Sequence, residues 1–262
     1  MITDAAGCGG EHYPGAEQPS NGGAGGVWLR RDGRPSEIFS FEYLPWVSKH
    51  WRARLARVGD DSAEAERIRA LNVTTLEACM MVALALHILR RGAVPRGGRP
   101  LCGGDNSGAI SSLRSLAPKS PALASLMRAL TRRYYRHGRA RVVPKYIKSP
   151  PKGQSVFARG ANHRHNWLGD IPSRAGTGLE TGEAAALEEF RYAFAKSPWS
   201  RGCEAQPVVS PRNAEVKELF HDLLRAAMAA QGEFVDLRAE ATRRPGRRRR
   251  RRGGARVTSE ST

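Results

Sequence analysis

Four carboxylates stand out by their surroundings. Asp4 sits in a short extended opening, "ITDAA", followed by small residues. Glu77 lies near the start of an apolar helical stretch, "TTLEACMMVALALHILRR" (74–91). Asp105 closes the apolar run "PLCGG", and Asp170 opens a late helix in "NWLGDIPSR". Between Asp105 and Asp170 the chain runs 64 residues without an acid, and those residues hold 13 Lys and Arg. Carboxylates that converge at the ends of strands and helices repel one another unless a cation lies between them. Mg²⁺ takes one or two carboxylates per ion and completes its shell with water and phosphate oxygens. Two such ions about 3.5–4 Å apart activate a water and stabilise the leaving oxygen of a phosphodiester. A basic surface around a small acidic cage suits that chemistry, because the surface holds the polyanion and only the cage must stay negative.

Each acid also has an ordinary structural explanation. Asp4 reads as a turn residue near a terminus. Thr74-x-x-Glu77 fits a capping box, a device that stabilises a helix start by about 1 kcal/mol. Asp105-Asn106 fits an N-cap or Asx-turn before the next helix. Asp170 with Pro172 fits a helix start. The four together, in order, are harder to explain that way.

The elements that must position them form an α/β pattern. "GGAGGVWLRRDGRPSEIFSFEYLP" alternates around Asp32-Gly33 and predicts a hairpin. Residues 46–70 are charged and predict a helical insertion. The 74–91 helix is apolar on most sides and should be buried, ending at Gly92. "RPLCGG" (99–104) predicts a strand and 107–116 a short helix. Ser120-Pro121 predicts a helix start for a stretch running to Gly138. "ARVVPKYI" (140–147) predicts a strand, and a loop then leads to "NWLGDIPSR". Residues 183–196 and 212–231 predict two amphipathic helices, the second again opening on Ser-Pro. The expected architecture is a mixed five-stranded sheet flanked by helices over residues 1–174. A linker and two-helix extension should occupy 175–242, and a disordered Arg-rich tail 243–262.

Charge points to partners. The formal net charge is +18, and "RRPGRRRRRRGGAR" (243–256) supplies nine Arg with no acid. The remainder is spread through the folded part, so nucleic acid is the expected partner. The block 127–152 carries nine Lys and Arg with Tyr134, Tyr135 and Tyr146 interleaved. Its Arg132, Arg133, Arg136 and Lys145 are candidate phosphate contacts. The competing explanation is a solvated helix face with core tyrosines. Four scattered cysteines without a C-x-x-C pair exclude an obvious zinc site. The N-terminus lacks the basic and apolar regions of a signal peptide, and "MMVALALHIL" is too short to cross a bilayer. A reduced intracellular protein, in cytoplasm or nucleus and without a membrane partner, is expected.

Taken in order, "ITDAA…GGAGGVWL", "TTLEACMMVALAL", "DNSGAISSL" and "NWLGDIPSR" resemble the ribonuclease H domain of retrotransposon reverse transcriptases. The usual pattern there is a "TDAS…GxGG" strand pair, a "LExxAxxxAL" helix, a "DN" at a strand end and "NxxADxLSR". The resemblance covers residues 1–174 and implies a ribonuclease H-like fold that hydrolyses the RNA strand of RNA–DNA hybrids. It implies two Mg²⁺ ions, with Mn²⁺ able to substitute. Asp4 would bridge both ions, Glu77 and Asp105 would hold the one near the leaving group, and Asp170 the one that activates water. Asn106 and Asn166 match positions that steady the site or contact substrate. The family often has a loop histidine assisting product release, and His163 and His165 both qualify here. Gly169 stands where alanine is usual. A reverse transcriptase polymerase domain, absent from this chain, is the further partner implied. Two alternatives stay open: a ribonuclease H-fold nucleic-acid-binding protein without catalysis, and another nuclease or transposase on the same fold.

Overall fold

In the computed structural model, which describes residues 1–6, 22–59, 62–134, 140–176 and 183–232, the sheet grows outward from an antiparallel meander. Strands β1 (Ile2–Ala6), β2 (Gly23–Trp28) and β3 (Glu37–Glu42) pair in chain order. Asp4 faces Gly25 across the first pair, and Val27 faces Ile38 across the second. Gly33, at φ 76°, supplies the left-handed residue of the β2–β3 connection, as Asp32-Gly33 predicts. Strands β4 (Leu101–Gly104) and β5 (Val143–Tyr146) add in parallel on the far side of β1.

The result is an α/β fold with a mixed six-stranded sheet, ordered β5-β4-β1-β2-β3-β6 and flanked by helices. The expectation of five strands is one short. The additional strand, β6 (Val208–Val209), runs parallel to β3 through bonds from Val208 N–H to Ser36 O at 2.9 Å and from Ser210 N–H to Ile38 O at 2.8 Å. Two exposed valines carry no alternation, so periodicity cannot reveal them.

The helices between the strands begin with α1 (Pro45–Val58) and α2 (Ala63–Arg90). The first covers much of the expected helical insertion. The second corrects an expectation. It starts not at Thr74 but at Ala63, where Ser62 is the N-cap and its Oγ accepts from Ala65 N–H at 3.0 Å. Glu64 and Glu66 lie in the favourable first turn. Thr74-x-x-Glu77 is therefore not a capping box, and Glu77 sits mid-helix, buried among apolar neighbours. By length and composition α2 could cross a membrane, but this fold buries most of it as the central core helix.

Helix α3 (Ser107–Ser115) is capped by Asn106, whose Oδ1 accepts from Ala109 N–H at 3.0 Å. Helices α4 (Pro121–Tyr134), α5 (Trp167–Gly176), α6 (Glu183–Lys196) and α7 (Asn213–Ala230) complete the described set. Alternating side chains of the sheet sort the core into two layers. Phe39 and Phe41 pack with α2, α4 and α7, while Ile2, Val27 and Ile38 pack with α5 and α6.

The stretch after residue 174 enters both layers. Phe190 and Phe194 of α6 complete one, and Phe220 and Leu224 of α7 complete the other. The Tyr43 and Phe220 rings stack at 5.4 Å. Asn213 docks on β3 by accepting from Ser40 N–H at 3.0 Å and donating to Ser40 O at 2.5 Å. The basic tail from 243 onward lies outside the described residues.

Candidate metal centre

The site begins with a close approach of backbones. A Cβ on Gly25, the residue opposite Asp4, would lie 2.3 Å from Pro172 C and 2.4 Å from Ser173 N. A Cβ on Gly169 would lie 2.7 Å from Thr3 C and O. Only glycine at these positions lets α5 rest directly on β1 and β2. At Gly169 the obstacle to a side chain is the carbonyl of Thr3.

With α5 seated there, Ser173 Oγ donates to Asp4 Oδ2 at 2.5 Å. Asp105 follows the end of β4, the parallel neighbour of β1, and Glu77 comes from the middle of α2. Oxygens of Asp4, Glu77 and Asp105 all lie within 4.8 Å of one another. Asp4 and Glu77 are buried and Asp105 is half-buried. Supporting polar groups come from the residues that precede α5 and α3. Asn166 Nδ2 lies 3.2 Å from Asp105 Oδ1 and 3.2 Å from Thr3 O. Asn106 caps α3, receives the Thr74 hydroxyl at 3.3 Å and interacts with Glu77.

The cost of gathering these acids shows in their protonation. Burial raises the Glu77 carboxyl well above its ordinary range, and the charges of Asp4 and Asp105 add to the rise. Burial and then the Asp4 charge push Asp105 up to about 7. Asp4 is also raised by burial, against the opposing hydrogen bond from Ser173. Glu77 Oε2 and Asn166 Oδ1 are buried without a hydrogen-bond partner. Three like charges and two unpaired oxygens in one buried spot are unfavourable by themselves. A divalent cation would offset the repulsion of the three carboxylates, and an all-oxygen donor set suits a hard ion. The triad could therefore hold a metal ion.

Asp170 stands beside this set and outside the 4.8 Å cluster. Burial raises its carboxyl to about 7, and the Asp4 charge contributes next. Its Oδ2 accepts from Arg174 Nε at 2.9 Å, and Arg174 also reaches Glu189 of α6 at 3.5 Å. Three of the four sequence-derived acids thus converge, and the fourth is engaged by an arginine one turn along its own helix.

The remaining expected residues scatter. Neither histidine joins the acidic cluster. His163 is half-buried with its ring 5.8 Å from Tyr192, and His165 is buried with an unpartnered Nδ1. Lys145 is exposed on the edge strand β5 in register with Gly103, and Arg132 is exposed on α4. Arg136 and the Arg133 side chain lie outside the described residues. Ser173, Arg174 and Ser149, which interacts with Asp105, were not anticipated as site residues. No family model matches the chain, no curated protein matches its sequence and no solved structure matches its fold.

Proposed function

We propose that this chain is a metal-dependent endonuclease of ribonuclease H type, hydrolysing the RNA strand of RNA–DNA hybrids as part or remnant of a retroelement reverse transcriptase. The observation that carries the reading is the convergence of Asp4, Glu77 and Asp105 within 4.8 Å. These residues come from separate parts of the chain, and they are three of the four that the motif order singles out. Mg²⁺, as two ions or with Mn²⁺ in its place, would supply an activated water and stabilisation of the leaving oxygen.

The chain's own residues do the rest. Asp4, Glu77 and Asp105 would hold the cation. Ser173 fixes the Asp4 carboxylate, and Asn166 orients Asp105. Asp170, held by Arg174 beside the cluster, would be the candidate for a fourth ligand. Lys145 and Arg132 contribute positive potential for the polyanion. Products with 3′-hydroxyl and 5′-phosphate ends follow from the family resemblance, as does work beside a polymerase domain, and the cysteine usage suits a reducing compartment, cytoplasm or nucleus.

A second reading, a nucleic-acid binder that has lost the chemistry, is favoured by one observation, the ion pair of Asp170 with Arg174. A labelled RNA–DNA hybrid incubated with Mg²⁺ separates them. Cleavage by the wild type and none by Asp105→Asn supports the nuclease. Tight hybrid binding without cleavage leaves the second reading, and cleavage of duplex DNA in preference to hybrid indicates another nuclease on this architecture.

A further inference from the structure

The loop before α5 and the end of α6 form a surface that the metal centre does not use. A cleft of about 660 Å³ lies between residues 160–164 and 195–201, and His163, Arg164, Lys196 and Arg201 line it. No acidic side chain is among its lining residues, and Arg164, Lys196 and Arg201 are exposed. Beside His163 stands a group of aromatic rings on the surface. Tyr192 lies 5.8 Å from the His163 ring and 4.7 Å from the Phe157 ring. Phe157 is 52% exposed and Tyr192 38%.

These rings are not displaced core residues. Val156, next in the chain to Phe157, fills the buried position and packs in the α5–α6 layer. The loop is held in place. Val156 N–H and Ser155 Oγ reach Glu189 Oε1 at 3.5 Å and 3.4 Å, and Trp167 Nε1 donates to Asn162 O at 3.2 Å. Glu189 is the residue that also meets Arg174 beside Asp170. The platform is therefore linked through Glu189 and Arg174 to Asp170, beside the metal centre.

Exposed aromatic faces next to a cationic cleft match the requirements of an unpaired strand. Its bases offer π-faces for stacking and its backbone offers phosphates at short intervals. A fully paired duplex hides its base faces and gains nothing from Phe157 and Tyr192. We propose that Phe157, Tyr192 and His163 with Arg164, Lys196 and Arg201 form a binding site for single-stranded nucleic acid, holding an unpaired overhang that leads to or from the acidic centre. The proposal rests on the nucleic-acid reading above, but it concerns a separate surface.

The test measures binding in EDTA, where no cleavage occurs, with labelled DNA and RNA strands of about twelve nucleotides, within the span of known single-strand sites. Phe157→Ala/Tyr192→Ala should weaken binding of the single strands roughly tenfold or more. It should leave binding of a flush-ended hybrid nearly unchanged. Arg164→Ala/Lys196→Ala/Arg201→Ala should lower the slope of log affinity against log salt by about 2, at about 0.7 per lost phosphate contact. Unchanged single-strand affinity in the aromatic variant would overturn the proposal. So would an equal loss of polyglutamate binding in the aromatic variant, which would make the patch a general polyanion surface. Cleavage of flush-ended hybrid in Mg²⁺ is scored separately on the same proteins, so loss of this site and loss of the nuclease reading give different results.

Discussion

Gly25 and Asp4 face each other across the β1–β2 pair, and the missing side chain of the first sets the surroundings of the second. Because nothing projects from Gly25 toward α5, the Pro172–Ser173 backbone can occupy that space and the Ser173 hydroxyl can reach Asp4. Gly25→Ala would push backbone against backbone, and neither side can yield by rotating a side chain. The expected result is a loss of roughly 2–3 kcal/mol or more in urea denaturation, together with weaker divalent-ion binding by calorimetry, as overpacking moves α5. Gly104→Ala is the control. Its Cβ would meet Met81 Cε at 2.1 Å, the mobile end of a flexible side chain, so it should cost less. Equal losses in the two variants would contradict the role given to Gly25.

The acidic centre should make the metal-free protein less stable than it could be. A carboxyl raised in the folded state binds protons there that the unfolded chain has already released. Stability therefore falls as pH rises from the ordinary carboxylate range toward the folded value, about 7 for Asp105. Asp105→Asn removes that penalty. In EDTA near neutral pH it should be more stable than wild type, on the order of 2 kcal/mol, and the gain should shrink toward about pH 4. Mg²⁺ should reverse the order, since wild type gains stability in proportion to the logarithm of ion concentration and the variant does not. If Asp105 were only a turn residue, the substitution would be neutral or destabilising in EDTA, and denaturation curves with and without Mg²⁺ decide between these outcomes.

Phe220 tests whether the chain beyond residue 174 belongs to the core. It is fully buried, stacks on Tyr43 and meets Phe41 edge-on at 5.4 Å. Phe220→Ala should therefore cost about 3–5 kcal/mol, with the whole protein unfolding in one transition. A separately packed helical extension would instead give an early, partial transition. Circular dichroism together with tryptophan fluorescence, followed through the same denaturation, distinguishes the two.

What was legible in the sequence was mostly local. Asp32-Gly33 marks the hairpin, Ser120-Pro121 marks the start of α4, and Asn106 announces a helix cap, because each feature is decided within a few residues. The start of α2 was misplaced because its first turns are charged and exposed while the rest is buried, and that change in burial resembles a helix boundary. The acids were found by type and order, but their meeting depends on the parallel register of β1 with β4 and on the seating of α5. No spacing encodes the hydrogen bond from Ser173 to Asp4. The glycines of "GGAGG" fit a hairpin in the sequence, whereas in the fold Gly25 acts as a seat for α5. The Phe157–Tyr192 platform joins two segments that approach only once α6 has packed on the sheet.

His221 should give the protein an acid limit independent of the metal centre. Its Nε2 accepts from Leu44 N–H at 3.0 Å, so Nδ1 carries the proton that Lys217 O accepts at 2.7 Å. That arrangement requires the neutral ring. Burial first, with Lys217 and Arg225 as further contributors, lowers its pKa to about 4. Below the unfolded value near 6.5 the unfolded chain takes up a proton that the folded protein refuses. Stability should thus be intact above about pH 6.5 and decline until pH reaches the folded value, by a total of about 3 kcal/mol for the lowering to about 4. His221→Gln, whose side-chain oxygen can accept from Leu44 N–H, should flatten that part of the stability profile at some cost in packing. A profile of the same slope in the variant would show that other groups carry the acid sensitivity. Urea denaturation in EDTA across about pH 4 to 7 makes the comparison, with His221→Gln and its parent both carrying Asp105→Asn, so that the opposite slope of the acidic centre is reduced and what remains of it is common to both.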